Sequence, residues 1–291
     1  MNKLHLLTSI ELYHPTESLD HIKVPDLPKD LYDISGYWLD GQLWICGELS
    51  THFDICYNLT TNGNDFVWVS FPDPMEYLRS SMASMIRPSK SWQLYAIGGQ
   101  GGDSQGAYSQ SVRIHDYLSQ ANHEDPNVFN DNLEKFPCLF DLEDKGIFVI
   151  GQNHTFHKLD TNNSTQGIGG WTAESHDLHF DSQCPKCIKA WDDESLIIFD
   201  SLLAKKQFIF RDGLFQTLNI EHLHQREDFQ LAILEGWPSI LGGKFSHVEQ
   251  IKMSQDQNVR VEHAKQKVQS NRFYFGLVHV PQSLFIKNLV K

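Results

Sequence analysis

The sequence predicts an all-β protein built from repeated four-stranded units. Short apolar or alternating runs are closed again and again by turn residues such as Asp40-Gly41, Asn62-Gly63-Asn64 and Gly98-Gly99. A turn after each second strand falls at Gly47, Gly98, Gly151, Asp200 and Gly242, with spacings of 51, 53, 49 and 42 residues. Other residues keep step with those turns. Trp38 and Trp191 each lie nine residues before theirs, Cys138 and Cys187 each thirteen before, and Trp68 and Trp171 about twenty after. A recurrence of that length marks a repeat architecture.

The totals bound the possibilities. With 291 residues, 40% hydrophobic and 12% aromatic, the chain can bury the core of one large all-β domain. A formal charge of −13 argues against nucleic acid and against anionic membranes. No run approaches the roughly 18 apolar residues of a membrane span. The opening MNKLHLLT is too short and polar for a signal peptide. Five cysteines, an odd and sparse set, fit a reduced cytoplasmic chain. Against that, Asn58-Leu-Thr60, Asn153-His-Thr155, Asn162-Asn-Ser164 and Asn163-Ser-Thr165 match the glycosylation pattern, so a secreted protein is the alternative.

The elements follow in order. Ile10–Tyr13 is a strand ended by His14-Pro15, and Asp20–Val24 is a second, ended by Pro25-Asp26-Leu27-Pro28. Ile34–Asp40 and Gln42–Cys46 form a hairpin, and Phe53–Asn58 and Asp65–Phe71 complete the first unit. The second unit holds Ser80–Ile86, Trp92–Ile97 ending in Gly98-Gly99, and Ser109–Tyr117, with a short fourth strand near Val128. The third runs Cys138–Leu142, Gly146–Ile150, Thr155–Leu159 and Gly170–Ala173. The fourth runs Cys187–Trp191, Ser195–Phe199, Gln207–Arg211 and Leu214–Ile220. The fifth runs Phe229–Leu234, Pro238–Leu241, His247–Met253 and Asn258–His263. Arg272–Val280 and Ser283–Lys287 are two strands without partners.

Two stretches carry a family resemblance. LRSSMASMIRPSKSWQLYAIGGQGGD, Leu78–Asp103, resembles the first half of a kelch repeat, and IELYHPTESLDHIKVPDLP resembles the second half. The resemblance covers nearly the whole chain, although the Gly-Gly pair is complete in two units and missing from the fourth. It implies a single six-bladed kelch-type β-propeller over residues 1–291. Its blades are expected near 30–74, 75–135, 136–180, 181–223, 224–268, and 269–291 completed by 1–29. Pairing the N-terminal strands with the C-terminal ones removes the open sheet edge.

Candidate sites are weighed against plainer readings. His176, His179, Cys184 and Cys187 spell H-x2-H-x4-C-x2-C, all zinc-ligand types. A single CxxC is not the paired signal, and Cys187 aligns with Cys138 as a packing position, so no metal and no cofactor are expected. Cys46 and Cys56 flank a hairpin and read as a bonded pair or as two small apolar residues. Fifteen histidines include the pairs His154/His157 and His222/His224, and only convergence in space would give them chemistry. Gly98–Gly106 lacks the Lys-Ser/Thr of a phosphate loop.

On the resemblance, loops of one rim bring together Arg79, Glu48, His52, Asp103, His154, Lys205, Arg226, Lys244 and His247 as a mixed-charge binding face. The expected function is a stand-alone binding module for a protein, a peptide or a small polar ligand, and the expected state is a monomer. The alternatives are an enzyme acting on a small molecule in the central channel, as in kelch-like mutarotases, and a secreted lectin-like or structural protein. The E-x3-D-x3-H iron run of the plant specifier proteins does not occur, nor does a recognisable copper motif of galactose oxidase-like propellers.

Overall fold

The computed structural model describes residues 24–39, 42–48, 54–62, 65–71, 80–87, 93–100, 112–116, 121–124, 138–142, 146–150, 156–159, 171–174, 185–192, 194–199, 207–220, 223–224, 229–242, 246–253 and 259–267. Twenty strands fall in these segments, arranged as five four-stranded antiparallel sheets. The first sheet is β1 (Tyr32–Leu39), β2 (Gln42–Glu48), β3 (Asp54–Asn62) and β4 (Asp65–Phe71). The second is β5 (Ser80–Arg87), β6 (Gln93–Gln100), β7 (Val112–Asp116) and β8 (Ala121–Glu124). The third is β9 (Cys138–Leu142), β10 (Gly146–Ile150), β11 (Phe156–Leu159) and β12 (Trp171–Glu174). The fourth is β13 (Lys186–Lys189), β14 (Leu196–Phe199), β15 (Gln207–Arg211) and β16 (Leu214–Leu218). The fifth is β17 (Phe229–Leu234), β18 (Trp237–Gly242), β19 (His247–Met253) and β20 (Val259–Lys267).

In every sheet the strands pair in chain order, as up-and-down meanders. The first strands of successive sheets touch, β1 with β5, β5 with β9, β9 with β13 and β13 with β17. This order is that of a β-propeller. The strands expected in residues 1–23 and 268–291, and the closure they would make, lie outside the described residues.

Burial explains why the middle strands are so apolar. β10 and β14 are buried along their whole length, whereas β16 is mostly exposed. A strand covered on both faces reads as a continuous apolar run, and one at the outer edge alternates. Along β14, Leu196 and Ile198 join the core shared with the third sheet, and Ile197 and Phe199 join the core shared with the fifth. Phenylalanines fill the first of these cores. The rings of Phe140 and Phe148 stack with centroids 5.2 Å apart, and Phe156 lies 5.3 Å from Phe210. In the first sheet, Leu27 and Leu31 of the entering segment pack on Leu43, Ile45 and Leu59, and the Trp68 indole donates to the Pro25 carbonyl at 2.8 Å.

Several expectations shift in the structure. Gly98 and Gly99 do not end a strand, because β6 continues to Gln100 with Gly98 paired to Met82. The fourth strand of the second sheet is β8 at Ala121–Glu124 rather than near Val128, which lies outside the described residues. Two tight hairpins use Asp212-Gly213 and Glu235-Gly236, all with positive φ, the geometry that matches strand twist and favours glycine. Asn58 is 3% exposed and its amide donates to Gln42 Oε1 at 2.6 Å, so this sequon is core packing rather than a glycan site.

The cysteines also depart from the reduced set expected. Cys138 and Cys187 form a disulfide between the first strands of the third and fourth sheets. Equal positions in neighbouring units become neighbours in space, which is why the two align in the repeat. Cys56 is likewise a disulfide cysteine, and the residue opposite it in the β2–β3 register is Cys46.

A polar knot closes the turn before β14. Asp192 Oδ1 accepts from the backbone N–H groups of Ser195 at 2.9 Å and Glu194 at 3.3 Å, and Oδ2 accepts from the Ser195 hydroxyl at 2.8 Å. Arg211 donates Nε to Ser195 Oγ at 2.7 Å and forms an ion pair with Asp192. Burial pushes the Asp192 carboxyl up, but the bonds from Ser195 and Arg211 outweigh it and hold the group below the usual carboxylate range. A depressed folded-state pKa stabilises above the unfolded value of about 3.9, and the benefit is lost as pH falls through the folded one. Asp192→Asn is therefore expected to cost about 1–2 kcal/mol at neutral pH. Its melting temperature should converge with that of the parent below about pH 3. A constant gap from pH 7 to pH 2 would contradict this account.

Candidate metal centre

Strand alternation sets the site. On β19, His247, Glu249 and Ile251 point to one face of the fifth sheet, and Val248 and Gln250 to the other. Ile251 faces the core shared with the fourth sheet, together with Ile240, Val259 and Phe199. Glu249 therefore opens onto the same inter-sheet space, one step beyond that apolar core. Its Cα partners are Ile240 on β18 and His263 on β20. The β19–β20 register shifts between His247 and Glu249, so that His247 pairs with Lys267 and Glu249 with His263. The regular ladder places His263 opposite Glu249, and the bulge beyond that pair gives His247 Lys267 rather than Lys265 as its partner.

The fourth member arrives from the chain between the sheets. After Ile220 and Leu223 seat in the core, His224 reaches the carboxylate. Its backbone N–H lies 3.3 Å from Glu249 Oε1, and its Nδ1 hydrogen-bonds the same oxygen. The Nε2 atoms of His247 and His263 each lie 3.8 Å from Oε1. The three imidazole rings sit 4.6 to 5.7 Å apart, centroid to centroid.

One ligand atom from each of His224, His247, Glu249 and His263 falls within 4.8 Å of all the others. The Glu249 side chain is fully buried, whereas those of His224 and His263 are 44% and 52% exposed. Burying a carboxylate costs several kcal/mol unless it is paired, and three imidazoles and the His224 backbone N–H lie around this one. Four donors around a zinc-sized ion at about 2.0–2.1 Å stand roughly 3.3 Å apart in tetrahedral array. The wider separations need inward shifts of about 1 Å to reach it, while His224 Nδ1 and Glu249 Oε1, now hydrogen-bonded to each other, would move apart to admit the ion. Three nitrogens and one oxygen suit zinc, copper, nickel or iron rather than calcium or magnesium, which prefer all-oxygen sets. The residues fit a divalent transition metal.

Of the sequence candidates, His247 belongs to this centre. Glu48 ends β2, across from Tyr32 and Asp54. Arg79, His52, Asp103, His154, Lys205, Arg226 and Lys244 lie outside the described residues, as do His176, His179 and Cys184. Cys187 is bonded to Cys138, so its sulfur is committed and cannot be the fourth zinc ligand of that motif. His224 was noted from the sequence only as half of the pair His222/His224, and Glu249 and His263 were not singled out. The legible signal was His247-Val-Glu249, since alternate residues of a strand share a face. The partners depended on the register between β19 and β20 and on an inter-sheet segment, neither of which has a sequence signature.

No protein-family model and no curated protein matches the chain. Solved structures do match. One, titled "Structure of YjhT", superposes with a TM-score of 0.63 at 12% identity, covering 87% of this chain and 88% of that one. Another, a fungal alcohol oxidase of the AA5 family in complex with copper, superposes with a TM-score of 0.57 at 13% identity, covering 82% of this chain and 55% of that one. At such identities the likeness is one of fold, and with the sheet order above it makes the chain a propeller-like all-β protein.

Proposed function

We propose that the protein is a six-bladed, kelch-type propeller whose function is to bind a divalent transition metal between its fourth and fifth sheets. The observation that carries the metal reading is the convergence of His224, His247, Glu249 and His263, drawn from three separate pieces of chain, on one buried carboxylate oxygen. Held there, the ion supplies a Lewis acid or a structural clamp. The chain's own residues hold it. Glu249 neutralises part of its charge, His247 and His263 approach through Nε2, and His224 through Nδ1. The centre lies on the third and fourth strands of its sheet, two strands out from β17, and not on the first strands. The repeat spacing near 50 residues and the resemblance of Leu78–Asp103 support the kelch-type, six-bladed part of the reading.

The Cys138–Cys187 bond favours the secreted alternative over the cytoplasm, because disulfides persist in oxidising compartments. The test of the metal reading uses untagged full-length protein, stripped with chelator and dialysed against zinc or copper. One equivalent of metal per chain by elemental analysis is the expected result, with none retained from calcium or magnesium. No stoichiometric metal from either transition-metal solution would end the proposal.

A further inference from the structure

We infer that the metal-loaded centre is open on its solvent side and takes a small anion, a carboxylate or an inorganic anion, as an exogenous ligand. This rests on the metal-binding reading above. The four donors are placed unevenly. Glu249 is the buried floor at 0% exposure and His247 is 21% exposed, while His224 and His263 stand at the lip, 44% and 52% exposed. Four protein donors saturate a tetrahedral ion, but copper, nickel and cobalt accept five or six, and the further positions fall where protein does not cover the ion. A structural centre is closed, and a centre that works on a ligand keeps such a position.

Charge selects the ligand class. A divalent ion, one carboxylate and three neutral imidazoles leave one net positive charge at the centre. Beyond His263 on β20 come Lys265 and Lys267, both exposed, and Lys267 is the Cα partner of His247. The adjacent acid, Glu262, pairs with Gln250 on the other face of the sheet and is held by Lys252 at 2.9 Å and Arg260 at 2.8 Å. Among the described residues the lip therefore presents cations to an arriving ligand, in a protein whose overall charge is negative.

The experiment loads full-length protein with copper and titrates it with azide, then with acetate, following the visible and near-ultraviolet spectrum. A saturable ligand-to-metal charge-transfer band with azide, competed away by acetate, is the expected result. The variant K265A/K267A should keep its metal and bind azide roughly two- to fivefold more weakly, with a reduced dependence on salt. Full copper loading with a spectrum indifferent to azide would overturn this inference and leave a closed structural centre. Failure to load copper or zinc would overturn the metal reading, and this one with it. Metal retained by K265A/K267A with unchanged azide affinity would remove the two lysines from ligand selection.

Discussion

Glu249→Gln abolishes stoichiometric metal binding, while the folded chain persists. The substitution keeps the volume of the side chain but replaces a charged donor that touches all three imidazoles with a neutral amide. Losing a residue that merely supports a metal ligand costs roughly 10- to 100-fold in affinity, so losing the charged ligand itself should cost more. The consequence can be read without any catalytic assay. At a metal concentration about 100 times the dissociation constant, binding to the folded state alone adds about 2.7 kcal/mol. For a chain of 291 residues that is roughly 4–5 °C in melting temperature. Parent protein should show the shift with zinc or copper, and Glu249→Gln should not. His247→Ala provides the second arm, because it removes an imidazole and leaves the carboxylate. An equal shift in parent and both variants would place the metal elsewhere in the molecule.

The second large effect belongs to the disulfide. Cys138 and Cys187 are separated by 49 residues, and closing a loop of that length in the unfolded chain is worth about 4 kcal/mol in the chain-entropy account. Cys187→Ala is expected to lower the melting temperature of oxidised protein by roughly 6–7 °C. Reductant should lower the parent by more than it lowers the variant, since among the described residues the variant keeps only the bond at Cys56. If reductant moves both proteins equally, Cys138 and Cys187 are thiols in solution.

The legible parts of the chain are those governed by local pattern. The paired turns, the fully apolar runs of β10 and β14, and the exposed alternation of β16 follow from the two-residue period of a strand and from which strands are covered on both faces. Their boundaries were less legible. Gly98-Gly99 reads as an ending, yet β6 continues through it to Gln100, with Gly98 opposite Met82, because glycine weakens a strand without forbidding it. The disulfide was half visible: Cys138 and Cys187 occupy equivalent places in their repeats, but equivalence became contact only when adjacent first strands met. The metal cluster was the least legible. Val259, Val261 and His263 share a face on β20, and nothing in that spacing shows that the β19–β20 ladder sets His263 across from Glu249 rather than from a neighbour. Long-range register, not composition, made the site.

The position of the disulfide bears on how the molecule comes apart. In a row of repeats each unit leans mainly on its neighbours, so unfolding can begin at whichever seam is weakest and spread from there. The bond ties the third sheet to the fourth at their first strands, and an ion held by His224 and the β19–β20 pair would fasten the approach from the fourth sheet to the fifth. Three consecutive sheets would then behave as one arc with two locked seams. Amide exchange and proteolysis should accordingly reach the first and second sheets earlier than the arc, giving the oxidised, metal-loaded protein a directional order of opening that its nearly uniform repeats would not by themselves impose.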